Sequence, residues 1–243
     1  MTGEDLDQLR LLFEVMERLR APGGCPWDRA QSHQTLLPYL LEETYETIQA
    51  AEEGSSEDLA EELGDLLVEV AMHSAIAAEA GTFDIGTVAR IATEKMISRH
   101  PHVFADLEVD GVSAVIDNWE ELKRREKPDR ESALDGIPAA LPALALAAAI
   151  QRRRERSHLQ SAETMEDPAE TARTALARLT DGGGDDSSEA LVGELLFSVV
   201  ALARQRAVDP EGALRRLAAA QRRALRGAEI EGRAGDSGPS LKS

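Results

Sequence analysis

Glu42, Glu43 and Glu46 in the run LLEETYETI, and Glu62 and Asp65 in EELGDLLVEV, set five carboxylates into two neighbouring segments. Both segments carry apolar residues at helical spacing, so the acids stand against a core. Two like charges about 4 Å apart repel by about 4 kcal/mol at an effective dielectric near 20. A divalent cation between the segments turns that repulsion into attraction, and hard oxygen donors suit Mg2+. At about 100° per residue, Glu43 and Glu46 lie about 60° apart around one helix, and Glu42 sits on their flank. Glu62 and Asp65, three apart, share a face of the next helix. The fifteen residues between Glu46 and Glu62 are enough to finish one helix, turn, and begin an antiparallel partner. Two facing helices would then present Glu43, Glu46, Glu62 and Asp65 to one or two cations. Mg2+ in such a site keeps several waters, one of which could serve as a nucleophile.

Glu-Glu-x-x-Glu alone is commonplace on solvated helix surfaces. The Glu-x-x-Asp in the next amphipathic segment is what favours a metal site over a solvated acidic face. A ferritin-like di-iron centre needs Glu-x-x-His pairs, and here Glu69 precedes His73 by four residues. Hard-metal phosphate chemistry is the better fit. Downstream, Lys95 and Arg99 share one helix face and can either grip phosphates or face solvent. Trp119 can stack on a base or fill a core, with Lys123 one turn along. His100 and His102, flanking Pro101, read as turn-shaping residues. Cys25 in GGCPWD has no general base in view and reads as structural.

The elements that must position these residues are helices. Alanine and leucine are abundant, aromatics make up only 3%, and apolar residues 42%, a mixture that favours an all-α fold. Periodicity predicts helices over about 5–20, 35 or 38 to 53, 55–81, from Asp84 to before Pro101, and 113–127. Pro38 is expected in the first turn of its helix. Further helices are expected over about 141–157, 168–180, 188–207 and 210–227. Asp167-Pro168 and Asp209-Pro210 each supply a cap followed by proline. DGGGDDSS is expected to be a loop. The domain reading is a catalytic helical domain over 1–127, a linker over 128–140, a second helical domain over 141–227 and a disordered tail over 228–243.

A net charge of −18 and a pI near 4.7 argue against nonspecific nucleic-acid or membrane-surface binding. The single cysteine excludes an internal disulfide. No signal pattern and no apolar run of about 20 residues stands out, so a cytoplasmic protein is expected.

The second half reads as a worn repeat of the first. Gly193-Glu194-Leu195-Leu196-Phe197 echoes Gly64-Asp65-Leu66-Leu67-Val68, but Leu191 stands where Glu62 would be and Ala220 falls near the place of Lys95. The Glu-Glu-x-x-Glu run has no counterpart there.

GGCPWDRAQ (23–31), LLEETYETI (40–48), EELGDLLVEV (61–70), KMISRHPHVFAD (95–106) and WEELK (119–123) together resemble the MazG family of nucleoside triphosphate pyrophosphohydrolases, in the all-α NTP pyrophosphatase superfamily. The stretches span about the first 130 residues in order. The resemblance implies a helical bundle of that superfamily's type, duplicated here with a degenerate second copy, and usually dimeric. It implies hydrolysis of NTP to NMP and pyrophosphate with Mg2+, for which Mn2+ can substitute. Glu43, Glu46, Glu62 and Asp65 would be the metal ligands. Glu42 would be an outer-shell or general-base residue. Lys95 and Arg99 would meet the phosphates, and Trp119 with Lys123 the nucleotide. Where the family often has consecutive arginines before HPHVF, this chain has Ser98-Arg99. A rival from another class is a non-catalytic regulator whose acidic helices bind a cation or a basic partner.

Overall fold

The computed structural model describes residues 2–105, 107, 110, 111, 115, 118, 119, 122, 126, 132–156, 167–181 and 185–236. Among them there are helices and no strand, so the fold is all-α. The chain divides into two compact units, Met1–Lys127 and Pro128–Ser243.

The first unit contains α1 (Gly3–Arg20), the single turn α2 (Pro26–Arg29), α3 (His33–Glu53), α4 (Ser56–Glu79), α5 (Ile85–Arg99) and the short α6 (Pro101–Phe104). Side-chain caps start each long helix by satisfying backbone N–H groups that have no partner within it. Thr2 and Asp5 form a reciprocal capping box on α1, as Ser32 and Thr35 do on α3. Ser55 accepts from the Asp58 N–H on α4, and Asp84 from the Thr87 N–H on α5. The Ser32–Thr35 box begins α3 two residues ahead of the earlier expected start. Pro38 therefore lies in the second turn and not the first, where it withholds one intrahelical N–H donor. Gly54, at φ 77°, closes α3 in the left-handed conformation that glycine adopts without a Cβ clash, and Ser55 restarts the chain antiparallel as α4.

The core of this unit joins Met16 from α1, Leu36 from α3, and Ala71 and Met72 from α4. Leu12, Phe13, Leu19, Val68 and Ile76 pack around it. The small buried residues Ala71, Ala75 and Ala77 let α4 lie close to its neighbours. The predicted helix over 113–127 falls mostly outside the described residues; within it, Val115, Asn118, Trp119 and Leu122 are helical.

The second unit contains α7 (Ala143–Arg156), α8 (Pro168–Thr180), α9 (Asp185–Gln205) and α10 (Pro210–Asp236). Two expectations need correction here. Asp185 to Ser188 belong to α9, not to a loop. α10 continues to Asp236, past the predicted end at 227, so the expected tail is helical at least that far; residues 237–243 lie outside those described. The stretch past 227 lacks an apolar stripe, yet its Ala, Glu and Arg residues favour a helix despite Gly232 and Gly235. Among the described residues, no helix is long and apolar enough to cross a membrane.

One charged residue binds the first unit's ends together. Arg20, in the last turn of α1, is buried and forks onto both carboxylate oxygens of Glu79 at 2.8 Å. It also donates to the backbone carbonyls of Asp28 and Gln31. Those hydrogen bonds, with further help from the Arg20 and Arg29 charges, hold the Glu79 carboxyl below its ordinary value. Beside them the chain doubles back onto the end of α1, where the Cys25 N–H donates to the Leu19 carbonyl at 2.8 Å. A Cβ on Gly24 would press into the Arg18 and Leu19 carbonyls, so only glycine fits. Arg20→Ala leaves two carbonyls and a carboxylate without their shared donor. It should cost about 2 kcal/mol in urea unfolding; a loss within experimental error would show that the fork contributes nothing.

Candidate metal centre

Glu43 lies in the middle of α3 and is half-buried; Glu62 and Asp65 lie one turn apart near the start of α4. Glu43 and Asp65 stand at nearly equal distances from the Gly54–Ser55 turn, so the antiparallel hairpin brings them level. One carboxylate oxygen from each of Glu43, Glu62 and Asp65 lies within 4.8 Å of the other two. Of the four expected ligands, the structure thus joins three. Glu46 is exposed and stands outside this trio, though its charge bears on it. Glu42, also exposed, lies on the flank.

The electrostatics are one-sided. Burial raises the Glu43 carboxyl above its ordinary value, and the charges of Asp65, Glu46, Glu62 and Glu42 raise it further. Burial likewise raises Glu62, with Glu46 and Asp65 the nearest contributors of charge. Every charge acting on these two groups is another acid, and no basic side chain among the described residues bridges to the trio. Three convergent hard-oxygen donors without a counter-charge fit a divalent cation that accepts carboxylates and retains waters.

The expected phosphate and nucleotide residues gather elsewhere in the same unit. Lys95 is exposed on α5. Arg99, at the end of α5, is buried, and its guanidinium forks onto Glu126, with Nε at 3.2 and 3.1 Å from the two oxygens. Ser98 Oγ donates to the same carboxylate at 2.8 Å. The Arg99 hydrogen bonds are the main reason that Glu126 sits below its ordinary value; Ser98 and then the Arg99 and Lys95 charges add to them. The Arg99 guanidinium carbon lies 5.3 Å from the Trp119 ring centre, in cation–π range, and His100 meets that ring edge-on at 4.9 Å. Lys123 lies outside the described residues.

Sequence reasoning did not single out Glu126, whose role depends on a partner 27 residues away. Nor did it find the Nδ1···Nδ1 contact of 2.7 Å between His33 and His73. In the second unit, Leu191 is 3% exposed and Ala175, on the adjacent α8, 1% exposed. At the position that echoes Glu62, the second unit thus buries an apolar side chain.

Residues 31–104, which contain the whole acidic hairpin, match the MazG nucleotide pyrophosphohydrolase domain. A Thermotoga maritima protein named nucleoside triphosphate pyrophosphohydrolase/pyrophosphatase MazG is 42% identical over 84% of this chain and 79% of its own length. An Escherichia coli nucleoside triphosphate pyrophosphohydrolase is 44% identical over 61% of this chain, which spans 57% of that relative. A Streptomyces cacaoi protein of uncharacterised role is 37% identical over 93% of this chain and 85% of its own length. The acidic hairpin lies within the matched domain, and the similarity extends into the second unit: the chain belongs to the MazG nucleotide pyrophosphohydrolase family.

Proposed function

We propose that this protein is a nucleoside triphosphate pyrophosphohydrolase, which uses water to split NTP into NMP and pyrophosphate at the α–β phosphoanhydride bond. The observation that carries this reading is the convergence of Glu43, Glu62 and Asp65 within the matched hairpin, with only acidic charges acting on Glu43 and Glu62. These three, with Glu46 beside them, would hold Mg2+, or Mn2+ in its place. The bound cation supplies Lewis acidity and a counter-charge to the triphosphate.

The chain's own residues supply the rest. Glu42, exposed next to Glu43, would accept a proton or hold an outer-shell water. Lys95 presents an ammonium to an anionic ligand. With Nε and Nη2 on Glu126, Arg99 would reach a phosphate through Nη1 or by exchanging Glu126 for it. Such an exchange conserves the number of charge-assisted bonds and couples ligand arrival to the Trp119 platform under the guanidinium.

A homodimer is supported by the apolar side chains the hairpin leaves in solvent. Leu37 and Leu41 on α3 are 55% and 58% exposed, and Leu63 on α4 is 48% exposed. The single cysteine and the absence of a membrane-crossing helix among the described residues accord with a cytoplasmic location.

Two outcomes follow. Glu43→Gln and Asp65→Asn should each lower Mg2+-dependent pyrophosphate release from NTPs by at least about a hundredfold, whereas Glu194→Gln in the second unit should leave it near wild type. Near-normal release from the first two variants would remove them from the site. The second outcome concerns pH. Glu43 and Glu62 lie above their ordinary values in the folded chain, so without metal the protein gains stability as pH falls through those raised values towards the ordinary one. Glu43→Gln should therefore raise the metal-free melting temperature at pH 8 by about 2 °C and abolish the further rise that Mg2+ gives the wild type. An unchanged response to Mg2+ would contradict the ligand assignment.

A further inference from the structure

The first unit buries a second polar cluster that the proposed reaction does not use. His33, in the first turn of α3, and His73, in the C-terminal half of α4, meet through their Nδ1 atoms at 2.7 Å. Their rings are parallel within 5° and their centres are 5.0 Å apart. That separation matches two ring radii and an N···N hydrogen bond laid end to end, so the rings meet edge to edge in one plane. Such a bond requires one proton between the two Nδ1 atoms. With none there is no donor, and with two there is no acceptor.

The environment makes this bond consequential. Glu69, one turn before His73, is 7% exposed, and its Oε2 and the His73 Nε2 are both buried without a protein partner. Burial, and then the His33 charge, push His73 below its ordinary value, while burial pushes Glu69 above its own. Two arginines of the neighbouring elements are engaged elsewhere. From α1, Arg20 is held by Glu79 and by the carbonyls of Asp28 and Gln31. On α5, Arg90 pairs with Glu94.

The position of the bond along the hairpin gives it a role. α3 and α4 run antiparallel from the Gly54–Ser55 turn. His33 lies ten residues before Glu43, and His73 eight residues after Asp65, or about 15 Å and 12 Å along their helices. The turn fixes the hairpin at one end, the histidine bond fixes it at the other, and the three carboxylates meet between them. We propose that His33 and His73 are positioning residues: their single-proton hydrogen bond sets the register of α3 against α4, and with it the place where Glu43 meets Glu62 and Asp65. The consequence for metal binding rests on the function proposed above; the hydrogen bond itself does not.

The test compares three full-length proteins: wild type, His73→Ala, and the double variant His33→Asn with His73→Asn. Asparagine sets an amide near the level of Nδ1, so the double variant keeps one donor and one acceptor but cannot titrate. Mn2+ affinity at pH 7.5 should fall roughly three- to tenfold in His73→Ala, the loss of about one net hydrogen bond, and return to wild type in the double variant. Because His73 lies below its ordinary value when folded, its contribution to stability is complete above about pH 6.5 and is lost as pH falls from there through the lowered folded value. The wild-type melting temperature should therefore drop relative to the double variant between pH 7.5 and 5.5. Equal Mn2+ affinity in wild type and His73→Ala, failure of the double variant to restore it, or parallel pH profiles for wild type and double variant would each overturn the proposal. Should the wild type bind no Mn2+, the metal reading fails, and the difference in pH profiles still decides the hydrogen bond.

Discussion

The mutual repulsion of Glu43, Glu62 and Asp65 is the constraint around which the first unit is organised. Three carboxylate oxygens within 4.8 Å of one another raise the energy of the metal-free hairpin. They stay together because other interactions dock α3 against α4: the Met16–Leu36–Ala71–Met72 core and the tight reversal at Gly54. Small residues on α4 serve the same end, since Ala71, Ala75 and Ala77 are nearly inaccessible and let the helices approach closely. The energy of hydrophobic packing thus holds charges in an arrangement that protonation or a bound cation would relieve.

The cationic half of the unit is arranged in the opposite way. Arg99 is neutralised internally by Glu126, covered by Trp119, and supported through Ser98. A buried guanidinium without a carboxylate would be costly, so the apo protein supplies its own anion. No basic side chain among the described residues bridges to the acids, while this arginine has a carboxylate on it.

Much of this could be read from residue order alone. The acids of the hairpin were legible because their spacing matches helical geometry and their neighbours are apolar, both of which are local facts. The helix boundaries set by Ser55 and Asp84 were legible for the same reason. The start of α3 was misread because Pro38 resembles a first-turn proline, whereas the Ser32–Thr35 capping box dominates. The extension of α10 was missed because Gly227 looks like a stop in a stretch without an apolar stripe. What periodicity cannot reveal is pairing at long range. His33 with His73, Arg20 with Glu79, and Arg99 with Glu126 are 40, 59 and 27 residues apart, and each depends on how helices are docked rather than on any local pattern. In the second unit, the leucine at the position that echoes Glu62 was legible in the sequence, whereas its burial was not.

The central claim is that a divalent cation sits between α3 and α4. Anomalous diffraction from crystals of the full chain soaked in Mn2+ tests it most directly. The account predicts a peak coordinated by Glu43, Glu62 and Asp65, absent from crystals of Glu62→Gln. A wild-type map with no peak there, or with Mn2+ bound only at other acidic patches, would contradict it.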